Sequence, residues 1–135
     1  DEGRLAFTLS AAAFTPIPVT ATYSATKNAL EGFGLAIEPW LMHRKISISH
    51  IYPGQMRTSH LKKYYDNDDT EAGVPPDLIA ARIVKALDRR KRRIHPDGMS
   101  KAFRFLQTIA PWALPGLIYR FNRKQFAEIL YQDES

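Results

Sequence analysis

The stretch LSAAAFTPIPVTATYSATKNALEGF, running from Leu9 to Phe33, decides how the chain is read. It starts at the end of a short apolar run, Arg4–Leu9 (RLAFTL), of the length and composition of a buried strand. Pro16 and Pro18 block a helix, so Ala11–Thr22 is predicted to be a loop. From Tyr23 to about His43 the apolar residues Ala25, Ala29, Phe33, Ala36, Ile37 and Trp40 recur at helical spacing. Gly32 and Gly34 weaken that helix, and Pro39 is expected to end or kink it. Four residues apart, Tyr23 and Lys27 share a helix face. Ser10 falls at the C-terminal end of the preceding strand, the edge at which open parallel sheets bind ligands.

Beyond this stretch, Ile46–Tyr52 (ISISHIY) is β-branched and stops at Pro53-Gly54, a strand followed by a turn. Ser59–Val74 is polar and acidic and is expected to be a loop that closes over a substrate. Pro75, Pro76 and Asp77 suit a helix entrance, and Ile79, Ile83, Ala86 and Leu87 then line one face. The basic run Arg89–Arg93 complements the negative end of that helix, and Arg93–Pro96 reads as a short last strand. Ser100–Leu130 is helical in character and broken by Pro111 and Pro115. Strands alternating with helices predict an α/β fold with βαβ units and a parallel sheet. The chain divides into residues 1–98, which carry this alternation, and a helical, basic and aromatic tail, 99–135.

Composition narrows the field. At 135 residues, 44% hydrophobic and 24% charged, the chain is globular in composition and of single-domain size. It has no cysteine, so disulfide, thiolate and iron–sulfur chemistry are excluded. The four histidines are scattered and no metal site is expected. The net charge of +5 suits phosphates or an anionic membrane, but no nucleic-acid-binding motif accompanies it and no such partner is expected. Asp1-Glu2-Gly3-Arg4 lacks the features of a signal peptide, and the opening reads as the interior of a longer protein in the cytoplasm.

The chemistry concentrates at three residues. A Lys27 ammonium beside the Tyr23 phenol favours the phenolate, which prepares the hydroxyl to exchange a proton near neutral pH. A Ser10 hydroxyl at the same sheet edge can hydrogen-bond a substrate carbonyl oxygen while Tyr23 protonates it.

Ser10, Tyr23 and Lys27, followed by Pro53, Gly54 and Thr58 in IYPGQMRTS, resemble the Ser…Tyr-x-x-x-Lys and Pro-Gly-x-x-x-Thr motifs of the short-chain dehydrogenases/reductases. The resemblance covers residues 3 to 96, including the later helix and the short strand RRIHP. It implies the C-terminal part of a Rossmann-type doubly wound parallel sheet, the N-terminal nucleotide-binding half being missing. It implies hydride transfer between an alcohol and a ketone or aldehyde with NAD or NADP. Tyr23 is then the acid/base, Lys27 its partner and a ligand of the nicotinamide ribose, and Ser10 the group that polarises the substrate. Pro53, Gly54 and Thr58 would flank the nicotinamide, with Tyr23 and Lys27 also touching the cofactor.

The departures are equally plain. No glycine-rich phosphate loop, no Asn-Asn-Ala-Gly segment and no helix Asn of the family's catalytic tetrad are present. Activity is therefore expected only in a complete chain. That chain is expected to be a homo-oligomer and its substrate lipophilic. The alternative is a silent remnant that serves as an interaction module or as a module in peripheral contact with a membrane.

Overall fold

The structure, a computed structural model, describes residues 3–15, 20–58 and 73–121, together with Arg123 and Ala127. Strand β1 spans Arg4–Thr8 and is followed by a 3-10 turn, Ala11–Ala13, where the sequence predicts only loop. Helix α1 spans Ala21–His43, β2 Ser47–Ile51, α2 Pro76–Asp88 and β3 Arg93–Ile94, and the tail forms α3, Gly98–Ile109, and α4, Ala113–Phe121. The strands form one parallel sheet in the order β1-β2-β3, with Arg4 opposite Ser47 and His50 opposite Arg93. The fold is α/β, as the alternation of elements predicts. Most of the polar loop, residues 59–72, and the end of the tail lie outside the described residues.

Both crossover helices end in the same way. Lys45 and Arg90 adopt left-handed φ values of 57° and 51°. After α1, Lys45 N–H donates to Met42 and Ile46 N–H to Leu41; after α2, Arg90 N–H donates to Leu87 and Lys91 N–H to Ala86. Each pair satisfies carbonyls that the last helical turn leaves open and turns the chain directly into the next strand.

Two features of α1 go beyond the sequence pattern. Pro39 does not end the helix, which is continuous to His43. Pro39 lies on the exposed side, where water can satisfy the Leu35 carbonyl that loses its donor. Ala25, Ala29, Phe33, Ala36 and Trp40 of the apolar pattern are exposed, although the Phe33 ring meets the Phe7 ring of β1 edge-on at 6.1 Å. The buried positions are Ser24, Gly34, Glu38 and Leu41. Gly34 marks the closest approach to the sheet. A Cβ there would stand 2.6 Å from His50 Cε1 and 3.1 Å from the Phe7 ring. The helix lies so close to the sheet that only a residue without a side chain fits at the contact.

The core under α1 is aromatic. Phe7 stacks on His50 at 5.7 Å, and His50 on Tyr52 at 6.5 Å. Tyr52 lies against His95 at 4.8 Å, and Phe14 closes the group over Tyr52. On α2 the expected face is present, with Ile79 buried and Ile83, Ala86 and Leu87 partly so.

The tail departs from expectation at one proline. The break between α3 and α4 falls at Pro111, while Pro115 sits in the first turn of α4, where its missing N–H has no helical acceptor to lose. Leu114 and Ile118 of α4 pack on Phe103 and Leu106 of α3. Phe103 also packs on the cluster of Leu9, Ala11, Phe14 and Tyr52, so the tail is anchored on the sheet's core.

Replacing Gly34 by Ala adds helix propensity but drives a methyl into His50, which is held between two rings. Overpacking outweighs propensity, and stability should fall by about 1–2 kcal/mol, read as a lower midpoint in urea.

Candidate functional site

Parallel strands bring their C-terminal ends to one edge, and hydrogen bonds beyond the strands lock those ends together. Leu9 N–H donates to Ile51 at 2.8 Å, Ala11 N–H to Pro53 at 2.9 Å, and Tyr52 N–H to Ile94 at 2.8 Å. The loop bearing Ser10 is thus tied to the Pro53-Gly54 turn. Ser10 caps the 3-10 turn, its Oγ accepting from Ala12 N–H at 3.2 Å. This uses a lone pair on Oγ and does not consume the hydroxyl proton.

Tyr23 and Lys27 rise from the first turns of α1. The Lys27 ammonium donates to the Thr8 carbonyl, the last residue of β1, at 3.1 Å. The same ammonium stands 5.5 Å from the centroid of the Tyr23 ring. Tyr23 is 43% exposed, so its hydroxyl is open to a ligand at this edge. The 3-10 turn after Ser10 packs directly on α1, which brings the Ser10 segment against the helix of Tyr23 and Lys27.

A residue the sequence reading passed over organises the other side. Asp97 is buried, and one carboxylate oxygen accepts from Gly54 N–H at 2.8 Å, the other from Ser100 N–H at 2.7 Å. It therefore binds the Pro53-Gly54 turn and caps α3 with a single side chain. A Cβ on Gly54 would lie 2.7 Å from Asp97 Oδ1, so this glycine is required by the close approach of the carboxylate. The signal was an Asp followed three residues later by Ser100, a cap pattern before a helix. Thr58 is partly buried at the end of the turn segment. That segment is held by a parallel bridge between Met56 and Val74, with Arg57 N–H donating to Val74.

Deeper in the sheet lie three buried polar side chains, Tyr52, Glu38 and His50, and the partly buried His95. The Tyr52 hydroxyl donates to Glu31 at 2.8 Å, and burial with this hydrogen bond pushes its ionisation far upward. The Arg92 guanidinium donates to Glu38 at 2.6 Å and holds that carboxyl below its ordinary value. Burial pushes His50 and His95 below the ordinary histidine value. Both ring nitrogens of His50 lack a hydrogen-bond partner among the described residues. No cluster of His, Cys, Asp and Glu among the described residues is suited to a metal ion.

With this geometry in view, likeness to known proteins is informative. A family model described as short chain dehydrogenase matches residues 1–69. Dehydrogenase/reductase SDR family protein 7-like of Drosophila melanogaster is 29% identical over 119 residues, covering 81% of this chain and 36% of that protein. Uncharacterized oxidoreductase YbbO of Escherichia coli strain K12 is 30% identical over 118 residues, covering 84% of this chain and 42% of that protein. A short chain dehydrogenase from Burkholderia cenocepacia J2315, solved in complex with NADP, superposes with a TM-score of 0.75 at 16% identity, over 87% of this chain and 47% of its own. The chain thus spans less than half the length of each of these relatives.

Two outcomes follow from the buried groups. Asp97→Ala leaves two backbone N–H groups without their acceptor and should cost on the order of 3 kcal/mol, Asp97→Asn less, both read in urea unfolding. The second concerns pH. Unfolded histidines take up protons below about 6.5, and buried His50 and His95 resist doing so. Stability should be full above that value and fall as the pH drops below it. Glu38 adds a second loss below its ordinary 4.5, as the pH falls toward its depressed folded value. Thermal melts across this range check the order of the two limbs, and His50→Phe should flatten the first.

Proposed function

The chain belongs to the short-chain dehydrogenase family, and on that premise we propose that it carries the catalytic Ser–Tyr–Lys portion of an NAD(P)(H)-dependent oxidoreductase. The reaction interconverts an alcohol and a ketone or aldehyde, and the activity belongs to the complete chain. The observation that carries the proposal is the placement of Lys27, pinned to the end of β1 and standing over the Tyr23 ring.

The residues at this edge suit one end of a dinucleotide. An ammonium at Lys27 and a hydroxyl at Tyr23 are donors for ribose oxygens, beside a Pro-Gly turn held rigid by Asp97. The sequence contains no glycine-rich loop for the phosphates, so these residues hold only the nicotinamide end. When bound, the nicotinamide accepts or supplies the hydride. The chain's own residues handle the proton and the oxygen. In reduction the Tyr23 hydroxyl gives its proton to the carbonyl oxygen, and in oxidation the phenolate takes it back. Lys27 places a positive charge beside the phenolate that forms. The Ser10 hydroxyl donates to the same substrate oxygen and fixes its position. The Thr8 carbonyl matters because it fixes the ammonium, which would otherwise move freely on a four-carbon stem.

Assembly with further copies belongs to the same reading. The outward stripe of α1 alternates small Ala25, Ala29 and Ala36 with large Phe33 and Trp40, a surface that allows a second helix to approach closely.

The test is made on the full-length protein with NADH and NADPH and a panel of ketones and alcohols. Tyr23→Phe should lower turnover by about a thousandfold with folding unchanged, because the exposed ring is retained and only its hydroxyl is lost. Lys27→Met should also reduce turnover, with unfolding little changed. Turnover near the unsubstituted rate in Tyr23→Phe would remove the acid/base role.

A further inference from the structure

The tail helices carry two apolar faces, and only one of them is used. Leu114 and Ile118 are buried against Phe103 and Leu106, which satisfies the inner face of the pair. Phe105 and Ile109 on α3, Trp112 in the turn, and Leu117 and Phe121 on α4 are nevertheless exposed. Trp112 is 83% and Phe121 80% exposed, far more than folding requires of side chains so costly to hydrate. Phe105 and Ile109 are one helical turn apart, as are Leu117 and Phe121, so each helix presents a stripe rather than scattered residues.

Charge distinguishes the possible occupants. Between Gly98 and Ala127 the sequence contains Lys101, Arg104, Arg120, Arg123 and Lys124 and no Asp or Glu. Lys101, Arg120 and Arg123 are exposed. An apolar surface with exposed Trp and Phe, bordered among the described residues of the tail by the cations Lys101, Arg120 and Arg123, matches an anionic lipid headgroup layer over an acyl boundary. No helix among the described residues is long and apolar enough to cross a membrane, and α3 and α4 have 12 and 9 residues. The geometry is that of a surface lying in the interface.

We propose that the exposed apolar surface of the α3–α4 pair docks on an anionic bilayer, with Phe105, Ile109, Trp112 and Phe121 entering the headgroup region and Lys101 and Arg120 meeting lipid phosphates. Nothing in this depends on the chemistry at Tyr23. The anchored inner face means that docking requires no unfolding of the tail.

The experiment is co-sedimentation of the full-length protein with vesicles of phosphatidylcholine, alone or with about one third phosphatidylserine. Binding should favour the anionic vesicles and weaken as salt rises. Trp112→Ser with Phe121→Ser should abolish it, while circular dichroism stays unchanged because both side chains are exposed. Lys101→Gln with Arg120→Gln should weaken anionic binding on the order of tenfold, with the apolar stripe intact. The absence of sedimentation with either vesicle would overturn the proposal. So would unchanged binding in the Trp112 and Phe121 double variant. If that variant instead reduces particle mass in lipid-free light scattering, and vesicles bind neither form, the face is a protein contact and the proposal fails.

Discussion

Helix α1 can rest on the sheet only because position 34 has no side chain, and much of the molecule follows from that contact. Close approach brings the helix backbone over Phe7 and His50. At the contact itself a bulky apolar residue has no room; Leu30 and Leu41 pack to either side of it, and between them the inner face uses glycine, serine and long polar chains that extend past the contact. Lys27 reaches the end of β1, Glu31 reaches Tyr52, and Glu38 meets Arg92. The polar inner face is therefore a consequence of tight packing. The same closeness positions the first turns of α1, where Tyr23 stands, beside the strand ends.

The candidate site is made rigid mainly by backbone. Ser10, the Pro53-Gly54 turn and Asp97 sit at the ends of three adjacent strands, and hydrogen bonds run across them from Ala11 to Pro53 and from Gly54 to Asp97. Functional side chains on such a frame need little help from their own packing. Burial of a carboxylate at Asp97 is tolerable because two backbone donors replace the water it loses. His50 is the counterexample, a buried ring without a hydrogen-bond partner among the described residues, and it is held by stacking between Phe7 and Tyr52.

Much of this was legible in the residue order. The strands, both crossover helices and the strand ends at which Ser10 stands follow from periodicity and prolines, and a spacing of four puts Tyr23 and Lys27 on one helix face. The α2 face was also readable, because there the apolar residues do face the core. The covered side of α1 was not legible, because periodicity reports that a stripe exists and not which side is covered, and the close approach at Gly34 is known only from the fold. Pro39 does not end α1, since its cost depends on whether the bereft carbonyl faces water. Asp97 was missed because its second partner, Gly54, lies far away in the chain and only the fold brings it to the carboxylate.

The register of the sheet has a consequence for how the chain reaches this state. Arg4 pairs with Ser47 and His50 with Arg93, so each strand pairing closes a loop of roughly forty residues. Among the described residues no hairpin exists to nucleate the sheet locally. Each parallel pairing must wait until the intervening helix has shortened the path between its strands, and the left-handed ends at Lys45 and Arg90 then set the direction in which the next strand leaves. Folding of such a topology is governed by the search for distant partners and is slow compared with a helical bundle of equal size. During that search β2, which lies between β1 and β3 once the sheet has formed, has both edges unpaired, and its segment SISHI is open to pairing with another molecule.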